Sequence, residues 1–285
     1  MTKKIRIITH SAGFHADDVF GVATLSLLLG KENIEVIRTR DPQIIATGDY
    51  VLDVGSVYDA EKNKFDHHQR GGAAVRENGI PYASFGLIWK KFGVEVAGSQ
   101  GVADLIDRDF AQPIDAFDNG VVLYELTHPS KIHPLHLQST LFLFESARGE
   151  TPNQDEAFLE AVAFARRLLE RKIVHTKAEE EVATIVRSKY QDAPDKRLVL
   201  IDVRPTVPRV PTTSILSEYP EPMFFVRQHE NGNWQAVAVS VNPENSFEKR
   251  KSFPESWAGK IGEDFAVASG VSDALFCHNG RFMVV

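Results

Sequence analysis

The sequence contains a single cysteine, Cys277, among 285 residues. This excludes an internal disulfide framework and indicates a reducing compartment. No hydrophobic run is long enough to span a bilayer. The first residues, MTKKIRIITH, match neither a secretory signal peptide nor an Arg-rich transit segment. We therefore expect a cytoplasmic protein that does not use a membrane as partner.

An excess of basic charge is also missing. The net charge is −7, with 22 basic and 27 acidic residues up to residue 190 and 10 and 12 after it. A broad grip on long duplex nucleic acid normally needs a basic face, so this partner is disfavoured. A short nucleic acid, or a phosphate held through metal ions, remains compatible with the composition. The length allows a sizeable core and predicts two domains.

The first part of the chain alternates predicted strands and helices. KKIRIITH, IEVIRTR and YVLDVG have the β-branched, apolar character of buried strands, and NKFDHH predicts a short fourth one. Helices are predicted over DVFGVATLSLLLGK and DPQIIATG, which lie between the first three strands. This β-α-β-α-β order indicates an α/β fold with a mostly parallel sheet.

The pattern changes towards the end of the chain. Residues from Asn153 to about Lys189 predict one long helix or two, and DAPDK at 192–196 predicts a linker. RLVLIDV, EPMFFVRQH, WQAVAVSVN and ALFCH then predict strands, with ESWAGKIGEDFAVASG supplying short helices. We therefore divide the chain into a larger domain at 1–190 and a smaller α+β domain at 191–285.

Aspartate and histidine residues follow several of the predicted strands and loops. They are His10, His15, Asp17, Asp53, Asp66, His67 and His68, with Asp115 and Asp118 in a predicted turn, DAFDNG. The carboxyl ends of parallel strands meet at one edge of a sheet, so these side chains should converge there. Mixed imidazole and carboxylate ligands suit Mn, Fe, Co or Zn. Two such ions bridged by a carboxylate are a standard device for phosphoester hydrolysis.

The ordered motifs of this chain are similar to those of a known family. They are THSAGFHADDVFGVATL, VIRTRDP, VLDVGSVYD, FDHHQR, DAFDNG, SFEKRKSFPESWAG and SGVSDALFCH. Together they resemble the melanocyte proliferating gene one family of the DHH phosphoesterase superfamily, metal-dependent hydrolases described as RNA exonucleases. The resemblance covers almost the whole chain. It implies a DHH-type catalytic domain followed by a smaller substrate-binding domain.

The resemblance also implies a ligand set for two divalent ions, with Mn²⁺ favoured and Mg²⁺, Co²⁺ or Zn²⁺ as alternatives. One ion would be held by His10, His15 and Asp53. The other would be held by Asp17, Asp53, His67 and Asp118, so that Asp53 bridges the pair. His15 stands where other superfamily members carry an aspartate.

Further residues receive roles by the same resemblance or by position. His68 would lie near the reacting phosphate, and we expect His68 and Asp53 to be the catalytic residues. Substrate binding is assigned to His278, Asn279 and Arg40. For His278 and Asn279 the alternative is a plain hairpin turn, which the stretch HNGR would also form. For Arg40 the alternative is a position on a solvent-exposed face.

Several neighbouring residues have simpler interpretations. Asp66 is expected to fix an imidazole tautomer, Asp18 to be a first-turn acid, and Asp115 to be structural. His68 is alternatively a residue that orients a ligand. The histidines of THPSKIHPLH lie beside two prolines, which favours a surface loop over a metal site.

We predict a metal-dependent phosphodiesterase that acts as an exonuclease on short RNA or DNA, through a hydroxide activated by two metals. One alternative is hydrolysis of a small phosphate compound, such as pyrophosphate or a dinucleotide. Another is a metal-binding module without chemistry. A homo-oligomer is compatible with all three.

Overall fold

The computed structural model describes residues 3–150, 153–202, 212–229, 231–243 and 247–285. It forms two compact units, Met1–Thr176 and Lys177–Val285. The division falls inside one 39-residue helix, Gln154–Asp192. The domain boundary predicted after residue 190 lies near the end of the same helix.

The first unit contains a five-stranded sheet. Its strands are β1 (Ile5–Thr9), β2 (Ile34–Arg38), β3 (Tyr50–Leu52), β4 (Tyr58–Asp59) and β5 (Lys64–Phe65). They lie in the order β2-β1-β3-β5-β4. The pairs β1–β2, β1–β3 and β3–β5 are parallel, and β4 is antiparallel to β5. The mostly parallel sheet predicted from the sequence is thus confirmed.

Seven helices accompany this sheet within the described residues. They are α1 (Ala16–Leu29), α2 (Pro42–Ile45), α3 (Ser84–Ala97), α4 (Gln100–Ile106), α5 (Gln112–Asp118), α6 (Leu137–Leu141) and α7 (Gln154–Asp192). A π-helical segment, Asp107–Ala111, joins α4 to α5. The turn predicted over DAFDNG is therefore wrong for its first part. Asp115 and Asp118 belong to α5, because the helical path continues through the π segment into Pro113 in the first turn of α5.

Both faces of the sheet are covered, as expected for parallel strands. Ile7 belongs to the main core, whereas its neighbour Ile8 packs with Val51 and Val54 on the other side. Helix α1 is buried from Ala16 to Ser26 and packs closely against α3. This burial fixes the start of α1 beside the carboxyl ends of the strands.

The second unit contains a separate five-stranded sheet. Its strands are β6 (Leu198–Ile201), β7 (Phe224–Gln228), β8 (Trp234–Ala238), β9 (Phe276–His278) and β10 (Phe282–Val284). Their order is β6-β7-β8-β10-β9, with β6 and β7 parallel and the other pairs antiparallel. Two short helices, α8 (Thr212–Ser217) and α9 (Gly262–Ser269), complete an α+β arrangement. No helix in the described parts of the chain combines the length and apolar character needed to cross a membrane.

A buried ion pair attaches α5 to α3. Arg76 Nη2 lies 2.8 Å from Asp115 Oδ2 and 2.7 Å from Asp107 Oδ1. Asp115 Oδ1 accepts a hydrogen bond from the backbone N–H of Gly86 in α3 at 3.0 Å. A Cβ atom at Gly86 would lie 1.7 Å from Asp115 Oδ2, so the two helices can approach this closely only because residue 86 is glycine. The structural role predicted for Asp115 agrees with these contacts.

We expect Gly86→Ala to destabilise the first unit by about 2 kcal/mol or more, because the added methyl group overpacks a buried ion pair. The loss should outweigh the gain of about 1 kcal/mol that alanine has over glycine inside a helix. Thermal unfolding followed by circular dichroism measures the change. Gly13→Ala is the matched control, since its Cβ would meet only Glu145 Oε1 at 3.4 Å. Equal melting temperatures for the two variants would contradict the packing argument.

Candidate metal centre

The parallel strands deliver three of the predicted ligands to one edge of the sheet. His10 directly follows β1, Asp53 directly follows β3, and His67 comes two residues after β5. All three side chains are at most 8% exposed. Asp53 has a positive φ of 54°, an uncommon conformation for a residue with a side chain but one that aspartate tolerates.

The start of α1 adds carboxylates from the side. Asp17 and Asp18 are fully buried in its first turn. Asp18 Oδ1 accepts a hydrogen bond from the backbone N–H of His15 at 2.9 Å, which fixes the loop that leads into the helix. The other oxygen, Asp18 Oδ2, lies 3.3 Å from His10 Nε2. Asp18 is thus part of the cluster, and its interpretation as only a first-turn acid was too narrow.

Asp53 lies at the centre of the cluster. Its Oδ2 is 3.2 Å from His10 Nε2, and its Oδ1 is 3.3 Å from His67 Nε2. The hydroxyl of Ser84 donates to Asp53 Oδ1 at 3.2 Å, and the backbone N–H of Ser84 donates to Asp17 Oδ2 at 3.3 Å. The two carboxylate oxygens of Asp53 therefore face two different imidazoles, while the start of α3 holds both acids in place.

Helix α5 brings Asp118 to the same place. Its Oδ2 lies 3.2 Å from His67 Nε2, and Asp17 Oδ2 lies 3.7 Å from the same nitrogen. The His67 imidazole is thus surrounded by carboxylates from the sheet, from α1 and from α5. Asp118 comes one turn after the anchored Asp115, so the ion pair described above also fixes the position of Asp118.

Three overlapping groups of potential ligand atoms occur in which all atoms lie within 4.8 Å of one another. They are His10, His15 and Asp53; Asp53, His67 and His68; and His15, Asp17 and Asp118. The structure therefore brings together all six predicted ligands and also His68. How these residues divide between individual ions stays a prediction.

The cluster suits divalent cations. Within the described residues, three of its buried atoms make no hydrogen bond: Asp17 Oδ1, Asp18 Oδ2 and His67 Nε2. The last two lie only within ion-pair distance of the neighbours described above. Buried polar atoms are normally hydrogen-bonded, so such a concentration of ligand atoms without hydrogen bonds calls for an explanation. Imidazole nitrogens mixed with carboxylate oxygens are ligands that bind first-row transition metals such as Mn²⁺ and Zn²⁺.

The charges of the cluster change its protonation strongly. Burial, together with the charges of Asp53 and Asp118, raises the pKa of Asp17 well above its usual value. Burial and the charge of Asp53 raise the pKa of Asp18 to about 7. Burial alone would lower the pKa of His67, but the carboxylates of Asp118 and Asp53 outweigh it and raise that pKa to about 10.

Asp53 shows the opposite shift. Burial would raise its pKa, but the imidazoles of His10 and His67 outweigh burial and lower that pKa below its usual value. Without a cation, the cluster therefore keeps Asp53 ionised and balances it with protons on its neighbours. A divalent ion would have to displace these protons.

Asp66 and His68 form a pair at the rim of the cluster. Asp66 is buried and accepts hydrogen bonds from the backbone N–H groups of Ser56 and His68. Its Oδ1 lies 2.8 Å from His68 Nδ1, which places a proton on that nitrogen. The His68 side chain is 58% exposed. The predicted role of Asp66 in fixing an imidazole tautomer agrees with this geometry.

Arg38 supports the loop between His10 and His15. Its guanidinium is 2% exposed and donates to the backbone carbonyls of Ala12, Gly13 and Gln154. It also lies over the ring of Phe158, 4.6 Å from the centroid. Arg38 is therefore a positioning residue that holds this loop in place. The alternation of side chains along a strand predicts which face of the sheet Arg38 lies on, but it does not predict the backbone carbonyl groups to which Arg38 donates.

None of the three predicted substrate-binding residues is a member of these ligand groups. Arg40 is exposed just after β2. His278 is exposed at the end of β9 and stacks on Phe282, with ring centroids 5.0 Å apart. Asn279 occupies the following turn with φ 46°. His278 and Asn279 belong to the second unit, and their role in binding substrate stays a prediction.

The roles of two residues at the centre, Ser84 and Asp18, were not predicted from the sequence. Ser84 links Asp53 to Asp17, yet a serine at a helix start is common and carries no specific signal. Asp18 stood next to the expected ligand Asp17, and two acids at a helix start are indistinguishable by pattern. His136 belongs to the stretch THPSKIHPLH, and its Nε2 lies 2.8 Å from the hydroxyl of Tyr124. It is not a member of the three ligand groups of the centre.

The α/β fold gathers Asp and His residues at the carboxyl edge of its sheet, in groups that could hold metal ions. A family model for the Uncharacterised protein family (UPF0160), labelled MYG1_exonuc, matches residues 6–285. The chain therefore belongs to this family. The resemblance inferred from the sequence motifs is confirmed.

Named relatives match over nearly the whole chain. The MYG1 protein of Dictyostelium discoideum is 28% identical, covering 98% of this chain and 91% of its own length. The MYG1 exonuclease of Mus musculus is 26% identical, covering 98% and 80%. The latter name agrees with the predicted nuclease-type hydrolase. A solved pGpG-specific phosphodiesterase from Vibrio, PggH, matches at 13% identity with a TM-score of 0.34, covering 99% of this chain and 92% of its own.

We expect Mn²⁺ affinity to rise with pH, by about tenfold per pH unit for each proton released on binding. The raised pKa values of Asp17, Asp18 and His67 mean that these groups hold protons more tightly than usual, and the protons compete with the ion. Calorimetric titrations at pH 6, 7 and 8, in buffers of different ionisation enthalpy, count the protons. Asp18→Asn should release fewer protons than the unaltered protein. An affinity independent of pH would contradict the protonated state of the cluster.

We expect Arg38→Ala to weaken Mn²⁺ binding by about 10- to 100-fold, because groups that orient ligands typically contribute this much. The reason is that the loop carrying Gly13 would lose its anchor next to His15. Calorimetric titration measures the affinity, and circular dichroism checks that the variant remains folded. Arg167→Ala removes a 73% exposed arginine of the same unit and should leave the affinity unchanged. Equal affinities of both variants would show that Arg38 does not position the centre.

Proposed function

We propose that the protein is a metal-dependent phosphodiesterase that removes nucleotides from an end of short RNA or DNA. One observation carries the proposal: Asp53 presents its two oxygens to His10 and His67 within a buried cluster of further Asp and His residues. This donor arrangement suits two cations that share a carboxylate. The name of the mouse relative, an exonuclease, supports the same reaction class.

Two divalent ions, with Mn²⁺ favoured, would be held by the six predicted ligands His10, His15, Asp17, Asp53, His67 and Asp118. When bound, such ions lower the pKa of water and neutralise negative charge on phosphate oxygens. The protein itself supplies the rigid frame. Ser84 holds Asp53 and Asp17 at a fixed separation, and Asp18 Oδ2 lies 3.3 Å from His10 Nε2, the nitrogen that Asp53 also faces.

His68 is the proposed contact to the reacting phosphate. Its hydrogen bond with Asp66 raises the pKa of His68 and keeps the proton on Nδ1. Nε2, the ring nitrogen that does not face Asp66, then carries a second proton when the imidazole is charged. This N–H would donate to a phosphate oxygen and stabilise the charge that develops during hydrolysis.

Hydrolysis of a small phosphate compound is the second candidate. The net charge of −7 favours it, because a polyanionic oligomer gains no long-range attraction from an acidic protein. It predicts rapid turnover of pyrophosphate or a dinucleotide and none of an oligomer. Rates measured side by side on these three substrates separate the two candidates.

We expect Asp53→Asn to lower the hydrolysis rate by at least about 100-fold, because losing a shared ligand should cost more than losing a group that orients one. Asparagine is the suitable replacement, since it tolerates the positive φ of this position. A gel time course with end-labelled short RNA and Mn²⁺ measures the rate, and EDTA should stop it.

Asp104→Asn is the matched control, since it changes an exposed aspartate of the same unit. It should cleave as fast as the unaltered protein. Full activity of Asp53→Asn would overturn the role of the cluster. Tight binding of Mn²⁺ without hydrolysis of any phosphate compound would instead indicate a metal-binding module without chemistry.

A further inference from the structure

An open pocket of about 480 Å³ lies beside the metal centre. Four of its lining residues belong to the centre: His15, His67, His68 and Asp118. The other four are Asn119 and Gln138, which carry side-chain amides, and the phenylalanines Phe117 and Phe142. The centre is thus accessible from a space whose remaining wall consists of two aromatic and two amide side chains.

The two aromatic rings are unusually exposed for residues of their size. Phe117 is 45% exposed and Phe142 is 48% exposed. Helix α5 buries Ile114, Asp115 and Ala116, whereas Phe117, like Pro113, is turned away from the core. Phenylalanine is normally among the most buried residues, and an exposed one next to a reactive centre suggests contact with a ligand.

Phe117 also connects the centre to a larger apolar surface. Its ring lies 5.0 Å from the ring of His136, which in turn stacks on Tyr124 at 5.5 Å. A second pocket of about 520 Å³ begins on the far side of Phe117 and includes Val122 and Leu123. Phe117 is therefore the point at which this aromatic surface meets the ligand Asp118, its neighbour in sequence.

We propose that Phe117 is a stacking platform for a nucleobase, and that the base belongs to the nucleotide whose phosphate is bound at the centre. The inference rests on the proposed function and names the part of the substrate that this pocket receives. A nucleotide carries a phosphate and a flat ring a short distance apart, and this one pocket is lined both by candidate cation ligands and by the Phe117 ring. Base stacking on aromatic side chains is a widespread means of holding single strands.

The polar groups of the pocket indicate that the base identity is not read. Gln138 is buried, and its side chain accepts from the backbone N–H of Ala16 at 2.6 Å and donates to the carbonyl of Phe14. The side-chain nitrogen of Asn119 donates to the carbonyl of Asp115 at 2.8 Å. Both amides are thus engaged with the backbone, whereas the ring faces accept every base alike.

The test compares oligomers that carry or lack a base. End-labelled RNA oligomers with adenine, uracil or cytosine at each terminus are compared with oligomers whose terminal nucleotide is a base-free tetrahydrofuran, at one end or the other. The full-length protein with Mn²⁺ should cleave the base-bearing oligomers about 5- to 100-fold faster, judged by kcat/KM, and differ by less than about threefold among the bases.

Phe117→Ala should lower kcat/KM for base-bearing oligomers by the same factor and bring the ratio to the base-free oligomer close to one. Phe117→Leu, which keeps most of the volume, should act in the same direction, and Phe117→Tyr should restore the ratio. Leu159→Ala truncates an exposed apolar side chain of α7 and serves as the control. Calorimetric titration of each variant with Mn²⁺ shows whether Asp118 still binds normally.

Two results would overturn the platform while leaving the proposed function intact. One is an unaltered protein that cleaves base-bearing and base-free oligomers equally well. The other is a Phe117→Ala variant that loses activity on both by the same factor, which would reveal a purely structural role. Failure of the unaltered protein to cleave any oligomer would overturn the proposed function and the platform together.

Discussion

The first unit depends on keeping several carboxylates buried at one point. Asp17, Asp18 and Asp53 are at most 3% exposed, and each lies close to another acid. Such a concentration of like charges is unfavourable unless positive charge is present. Two imidazoles, His10 and His67, supply part of it. A multiply charged cation is the natural complement of what remains.

The residues that hold this arrangement are mostly not ligands. Arg38 fixes the loop before α1, Ser84 joins two acids at the start of α3, and the Arg76–Asp115 pair anchors α5. Each of them attaches an element that carries a ligand, and each does so through buried polar contacts. The geometry of the centre is therefore set by the packing of the helices and the sheet, and not by flexible loops.

Much of this organisation could be predicted from the sequence, since the order of strands and helices puts His10, Asp53 and His67 at one edge of a parallel sheet. The remaining ligands needed the resemblance to a family, because Asp17 and Asp118 look like ordinary helix-start and turn residues by themselves.

What the sequence could not reveal follows from tertiary contacts. The strand β10 was not predicted, because three residues at the end of a chain carry little periodicity. The helical path through the π segment was missed, since DNG is typical of a turn. The roles of Arg38 and Asp18 depend on partners far away in the sequence, such as Gln154 and His10.

Phe117 and Asp118 are consecutive residues of one short helix that is anchored at Asp115. A movement of this helix would displace Phe117 and Asp118 together, so the distance between these two residues would stay constant. In the proposed arrangement, a nucleotide would reach both positions with its base and its phosphate, whereas pyrophosphate has no ring to stack on Phe117. Discrimination between nucleotides and simple phosphates would then come from a rigid spacing, without any closing loop.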